Sequence, residues 1–171
     1  YKNQNGERVN LVPDAVCIPT NGFINKQHRT VVMGAGLAAE ACNLCADAKR
    51  KLYHHLETNG NIPGYIGKLN YEGTSIKLLS FPTKRGIVTV NEDKSNIISI
   101  YRDGCAIGEK VSGWKAFSEY DMIEKSATVL KSIISKDALE NVLVPKVGCG
   151  LGGLVWENVR DILYGILNEH V

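Results

Sequence analysis

The stretch NVLVPKVGCGLGG, residues 141–153, reads as a buried strand that runs into a glycine-rich turn formed by Val147, Gly148, Cys149, Gly150, Leu151, Gly152 and Gly153. Behind it Trp156, Val159, Ile162, Leu163, Ile166 and Leu167 recur at helical spacing, so the turn hands a strand to a helix. The same handover occurs earlier, at Met33, Gly34, Ala35, Gly36 and Leu37. Glycine permits positive φ and a close approach of the backbone to a ligand. The first helical turn that follows adds N–H groups without intrahelical acceptors and the positive end of a dipole. Two such turns in one small domain point to an anion, most simply a diphosphate, held between them by main-chain donors.

Outward from these turns the chain alternates between strand and helix periods. DAVCI (14–18) and IKLLSF (76–81, ended by Pro82) read as strands, and Leu37, Ala41, Leu44, Ala48, Leu52 and Leu56 as one helix that stops at Asn59-Gly60. Residues 87–101, IVTVNEDKSNIISIY, predict a hairpin around a polar turn. Ser118 reads as the cap of a helix, with Asp121 three residues on and Ile123, Ala127, Leu130 and Ile134 on its buried face. The alternation predicts an α/β fold with a largely parallel sheet covered by helices on both faces. Ligands of such sheets bind beyond the carboxyl ends of the strands. There the chain places Pro19-Thr20-Asn21-Gly22, Pro82-Thr83-Lys84-Arg85 and the second glycine turn, so the three are expected to converge on one ligand.

Composition sets the limits. The 171 residues suit a single domain spanning 1–171, and 44% apolar with 22% charged residues is ordinary for a globular protein. The apolar runs are strand-sized and the opening YKNQNGERVN lacks the layout of a signal peptide, so a cytoplasmic protein without membrane association is expected. A net charge of +2 does not argue for nucleic acid, which stays open as a substrate. Five cysteines without regular spacing read as free thiols. Cys42 and Cys45 form a CxxC inside a helical pattern with no second pair, so no metal and no cofactor are expected.

Gly34, Ala35, Gly36, Leu37, Ala38 and Ala39 also satisfy the degenerate dinucleotide fingerprint GxGxxG/A. That unit needs a strand after its helix ending in an acid about 20 positions on. Here Glu57 closes the helix and NGNIPGYIG is turn-rich, which argues against a nicotinamide enzyme.

Taken in order, DAVCIPTNG, MGAGLA, SFPTKR and VPKVGCGLGGLVWENV resemble the motif set of macrodomains, the ADP-ribose-binding fold, which implies three layers, α/β/α, around a mixed, mostly parallel central sheet. The match is nearest to the DarG-like branch, which removes ADP-ribose from DNA, and then to the terminal ADP-ribose glycohydrolases. The resemblance implies binding of ADP-ribose, or of ADP-ribosylated DNA or protein, and a glycohydrolase activity. It assigns Lys84 and Asn21 to catalysis, the latter facing the distal ribose. It assigns Pro19, Thr20, Thr83, residues 33–37 and residues 147–153 to the ligand, and Glu7 to the adenine. Trp114, Lys115 and Ser118 resemble residues that normally follow the lysine closely, delayed here by an inserted hairpin-like segment at about 86–113 that is expected to rim the pocket. A reader of ADP-ribose or an NAD-derived signal, and an ADP-ribose 1''-phosphate phosphatase, are the alternatives.

The chain departs from the motif at several points. Gly152 stands where glutamate-cleaving relatives carry an aspartate, Ile18 replaces the first asparagine of NxxN, and Val155 replaces an acid before the tryptophan. The polar lead-in and the lack of a strand after the last helix are what a trimmed domain would show. For Lys84 to attack an anomeric carbon it must be partly neutral, well below the usual value of about 10.4, through burial or a neighbouring cation such as Arg85.

Overall fold

The computed structural model describes residues 12–167; Glu7 lies outside them. The elements in chain order are β1 (Ala15–Asn21), β2 (Ile24–Asn25), β3 (Thr30–Val31), α1 (Gly36–Leu44), α2 (Ala48–Asn59), β4 (Gly64–Tyr71), β5 (Thr74–Lys84), β6 (Ile87–Thr89), β7 (Lys110–Ser112), α3 (Tyr120–Lys136), β8 (Val142–Leu143) and α4 (Trp156–Leu167). The main sheet runs β4-β5-β1-β8, with β1 parallel to β5 and β8, and β4 antiparallel to β5. The mixed, mostly parallel sheet is the one the sequence predicts.

Strand alternation sends successive residues to opposite faces, and the core divides accordingly. Ile18, Ile66 and Leu78 pack with Leu52 and Leu56 of α2 and Ala41 of α1. Ala15, Cys17, Leu79 and Phe81 pack on the other face with Ile123, Ala127 and Leu130 of α3 and Val159 and Leu163 of α4. These are the three layers.

Several local expectations are corrected. The single helix expected from Leu37 to Leu56 is two, broken where Cys45 adopts extended backbone (φ −134°, ψ 95°). Its thiol lies over Gly67, where an added Cβ would sit 2.5 Å from the sulfur. Pro82 does not end its strand: β5 continues to Lys84, because β4 stops pairing at Ser80 and Pro82 keeps only β1 beside it, so a missing N–H is tolerated there. The strand expected over 141–147 shrinks to Val142–Leu143. Ser118 does not cap α3; Glu119 holds that position without a side-chain bond.

The hairpin expected within 87–101 is also redrawn. β6 pairs with β7, Ile87 opposite Ser112, and Ser99–Gly104 forms a 3₁₀ turn. The segment folds on a small core of its own, formed by Val90, Ile97, Cys105, Val111 and Ala116. Its two ends meet at Gly113, whose N–H donates to the Gly86 carbonyl at 2.8 Å.

Asp14 fastens β8 to β1. Its Oδ2 accepts from the N–H groups of Glu140 and Asn141, both at 2.9 Å, while its own N–H donates to the Asn141 carbonyl at 2.8 Å. Hydrogen bonds to a carboxylate contribute about 1.5–3 kcal/mol. Asp14→Ala is therefore expected to lower the urea midpoint by an amount equivalent to about 2 kcal/mol with an unchanged slope; an unaltered midpoint would show that β8 is held by its side chains alone.

Candidate functional site

Beyond the carboxyl ends of β1 and β5 lies a cavity of about 450 Å³. Its floor is Pro19, Thr20 and Asn21 from β1 with Thr83 and Lys84 from β5. One wall is Val32 to Ala38, spanning the entry to α1. The facing wall is Lys146, Gly148, Gly150, Leu151 and Gly152. A third comes from the inserted segment and its return: Ile98, Tyr101, Trp114 and Ser118. The strand ends and both glycine turns thus border one space. Three of the sequence-assigned residues stand back from it. Val147 is buried in the core, the Cys149 thiol points inward and donates to the Val147 carbonyl at 3.3 Å, and Gly153 lies against the Phe117 ring.

The first wall is built for an anion. α1 begins after Ala35, which offers no side-chain cap, and no acidic residue occupies its first turn. The first amides of α1 therefore lack a capping acceptor. Gly36 takes φ +52°, and a Cβ at Gly34 or Gly36 would meet nothing within 4 Å, so the backbone lies bare to the cavity. Among the described residues no carboxylate or histidine lines the space, whereas Lys84 and Lys146 do; Lys146 is held with its Nζ 5.6 Å from the Trp156 ring centroid.

The second wall is fixed by backbone closure. Leu154 N–H donates to the Gly148 carbonyl at 3.0 Å and Ser118 N–H to the Gly152 carbonyl at 2.9 Å. A Cβ on Gly152 would fall 2.4 Å from the Gly148 carbonyl oxygen and 2.3 Å from Ser118 Oγ. Thr20 Oγ1 and Ser118 Oγ are buried beside the cavity with no hydrogen-bond partner among the described residues, an arrangement that costs about 1–3 kcal/mol per group unless something supplies the bond.

Lys84 is half-buried, and burial lowers its pKa to about 8. The neighbouring cation plays no part: Arg85 turns outward, its guanidinium bound to Glu119 at 2.8 Å and Asp121 at 2.7 Å. Asn21 sits opposite Lys84 in the β1–β5 register, but its amide is already engaged. Nδ2 donates to the Val32 carbonyl at 3.0 Å, and Oδ1 accepts from the Phe23 N–H at 3.0 Å. In this arrangement Asn21 ties the floor to the first wall. Among the described residues no cluster of three or more His, Cys, Asp or Glu side chains could hold a metal ion, and no helix is long and apolar enough to cross a membrane.

No protein-family model matches the chain. Over 78 residues it is 31% identical to the ADP-ribose glycohydrolase OARD1 of Bos taurus and 30% identical to that of Homo sapiens, covering 43% of this chain. The chain spans about half the length (51%) of these curated relatives. Among solved structures, the macrodomain of Mycobacterium tuberculosis DarG superposes with a TM-score of 0.66 over 98% of this chain and 90% of that one, at 17% identity. The fold is that of a macrodomain. Thermosipho africanus DarTG in complex with ADP-ribose (TM-score 0.63, 19% identity, 92% of this chain and 35% of that one) and the macrodomain of Thermus aquaticus DarG (0.60, 19%, 95% and 87%) share it.

Sequence reasoning missed five residues of the cavity lining: Val32, Ala38, Ile98, Tyr101 and Lys146. Tyr101 carried a usable signal as an aromatic inside a polar insertion; Lys146, next to the glycine turn, carried another. The packing of Gly152 also explains the missing second-loop acid, since no side chain fits there. Gly152→Asp is expected to melt well below the wild type and to install no usable carboxylate; a thermal scan matching the wild type would show that the loop has another seat.

Proposed function

We propose that this macrodomain binds ADP-ribose, with the diphosphate clasped between residues 34–37 and 148–152, and hydrolyses an ADP-ribosyl linkage on DNA or protein in the cytoplasm. The observation that carries the reading is a single cavity bordered by both bare glycine walls and by a half-buried lysine whose pKa is lowered to about 8. The relatives named as ADP-ribose glycohydrolases and the solved complex with ADP-ribose support it.

The chemistry follows from the groups present. With the diphosphate on main-chain donors, the distal ribose lies over the strand ends and Lys84. The neutral amine attacks the anomeric carbon as the bond to the acceptor breaks, and the acceptor leaves with the proton that the amine sheds on forming the C–N bond. Water then displaces the amine, releasing ADP-ribose and restoring Lys84. Burial serves this step, because about a tenth of a lysine with a pKa near 8 is neutral at pH 7. A reader of ADP-ribose without turnover is the second reading, favoured by a lining in which no carboxylate or histidine stands, among the described residues, to move a proton.

The readings separate in one set of measurements. Calorimetry should give an ADP-ribose isotherm that Gly150→Glu weakens roughly tenfold or more, by setting a carboxylate against the diphosphate at a position with nothing within 4 Å of the new Cβ. Equal binding by that variant would reject the site. On ADP-ribosylated DNA and protein, Lys84→Ala should lose about a hundredfold or more in turnover while still binding ADP-ribose. Lys84→Arg should be equally inactive; activity retained with arginine would make the role electrostatic. No wild-type turnover leaves the reader, turnover unchanged in Lys84→Ala would remove Lys84 from catalysis, and release of inorganic phosphate from ADP-ribose 1''-phosphate identifies a phosphatase.

The pH dependence has a definite sign. The reactive form is the deprotonated amine, whose fraction grows as pH rises through the lowered pKa, so kcat/KM should climb to a plateau with an apparent pKa near 8. A profile falling through that range would mean that the charged form acts.

A further inference from the structure

β5 reaches Lys84 after losing one of its neighbours. β4 pairs with it no further than Ser80, and the β1 register shifts between Thr20 and Asn21, so that Asn21 faces Lys84. The last carbonyls of β5 are met from other elements: Pro82 by Ser126 Oγ at 2.7 Å, Thr83 by the Glu119 N–H at 3.2 Å and Lys84 by Asn61 Nδ2 at 2.9 Å. Resting on the function proposed above, we propose that Asn61, which stands outside the cavity lining, is a positioning residue for the reaction. Its amide clamps the Lys84 peptide to the end of β1 and so sets the depth at which the amine stands in the cavity.

The clamp closes on Gly22, the residue after Asn21. An added Cβ there would fall 2.5 Å from Asn61 Cγ and Nδ2 and 2.9 Å from its Oδ1, so the amide lies face-on against the glycine while donating to Lys84. From β5, Gly86 presses on the same residue: its Cβ would fall 2.4 Å from the Gly22 carbonyl oxygen. One side chain thus joins the two strand ends just past the point where their register shifts.

The turn that carries Asn61 is itself fixed. The Gly60 N–H closes α2 on the Leu56 carbonyl at 3.1 Å, with Gly60 at φ +79°. His55 Nε2 donates to the Ile62 carbonyl at 2.8 Å, and Nδ1 accepts from Asn59 Nδ2 at 3.1 Å. Asn61 Oδ1, by contrast, is buried with no hydrogen-bond partner among the described residues. An unmet buried acceptor lowers stability, so the amide is poorly explained as packing; what it supplies is the donor to Lys84.

Burial is what lowers the Lys84 pKa to about 8, and burial depends on where its backbone is held. Among the charged and titratable groups around the clamp, Arg85 is engaged with Glu119 and Asp121, Lys146 stands on the facing wall, and His55 is bound into the turn. Releasing the clamp lets the amine move toward solvent, where its charged form is favoured and its pKa climbs.

Three measurements test the role: turnover on ADP-ribosylated DNA and protein, calorimetry with ADP-ribose, and the pH profile of Lys84 acetylation by acetic anhydride, read by mass spectrometry without any turnover. Asn61→Ala should lower kcat about tenfold to a hundredfold while KM and ADP-ribose affinity stay within about twofold of the wild type. It should also move the midpoints of the kcat/KM and acetylation profiles, near 8 in the wild type, up by about one unit. Asn61→Asp, equal in shape but without the donor, should behave alike. Gly22→Ala, which displaces the amide from the opposite side, should do the same independently, and adding it to Asn61→Ala should cost little more. An unmoved acetylation midpoint, a kcat equal to the wild type's, a loss of ADP-ribose affinity matching the loss of turnover, or fully additive effects of the two substitutions would each overturn the role. A wild type that turns nothing over, yet whose acetylation midpoint moves in Asn61→Ala, would overturn the function on which the role rests and leave the clamp standing.

Discussion

The site depends on a two-residue junction. Ser118 donates its N–H to the Gly152 carbonyl, and Glu119 donates its N–H to the Thr83 carbonyl, so adjacent residues pin the second glycine turn and the end of β5 to the start of α3. Lys84 and residues 148–152 therefore hold a fixed relation that neither strand pairing nor loop sequence alone would set. Arg85 reinforces the junction by reaching Glu119 and Asp121 together. Those charges are substantially exposed, and such pairs contribute little individually. The constraint resides in the buried backbone bonds and in the absence of space for a Cβ at Gly152.

The electrostatics of the proposed reaction contain a tension that the same geometry addresses. A single charge about 6 Å from Lys84, at an effective dielectric constant of about 20, is worth about 3 kcal/mol, which is about two pKa units. An unshielded diphosphate at that distance would return Lys84 to its ordinary value and cancel what burial does. The amine stays available only if the diphosphate is neutralised locally. The bare amides at the start of α1, the second glycine turn and Lys146 do this from the side away from β5. On this reading the glycine walls also protect the nucleophile.

Much of the architecture was legible because it is local. The strand of β1, the apolar faces of α3 and α4, and both strand-to-helix turns follow from period and glycine placement. What was illegible depended on partners. The apolar spacing from Leu37 to Leu56 stays in helical phase across Cys45, so nothing in the pattern marks the break that lets the thiol settle over Gly67. Residues 87–89 look ready to pair with 97–101 but pair with 110–112 instead, because strand choice is settled by the segment's own core. Ser118 has the right residue type and spacing for a helix cap, yet its hydroxyl is buried beside Gly152. In the site, residue types were readable whereas occupancy was not: Asn21 is spoken for by two backbone groups, and Cys149 faces the core.

Recognition through main-chain amides places few demands on side chains. The walls around the proposed diphosphate need glycine at Gly148 and Gly152 and open backbone at Gly34 and Gly36, and little else about their composition matters. This is consistent with the same fold appearing at 17–19% identity. A surface of that kind also cannot distinguish one ADP-ribosylated acceptor from another, because every acceptor presents the same diphosphate. Discrimination has to come from side chains placed past the scissile bond. On the proposed function, the inserted segment fastened beside Lys84 through Gly86 and Gly113 contributes side chains, Ile98 and Tyr101, to the cavity's third wall, whereas the glycine turns contribute main chain.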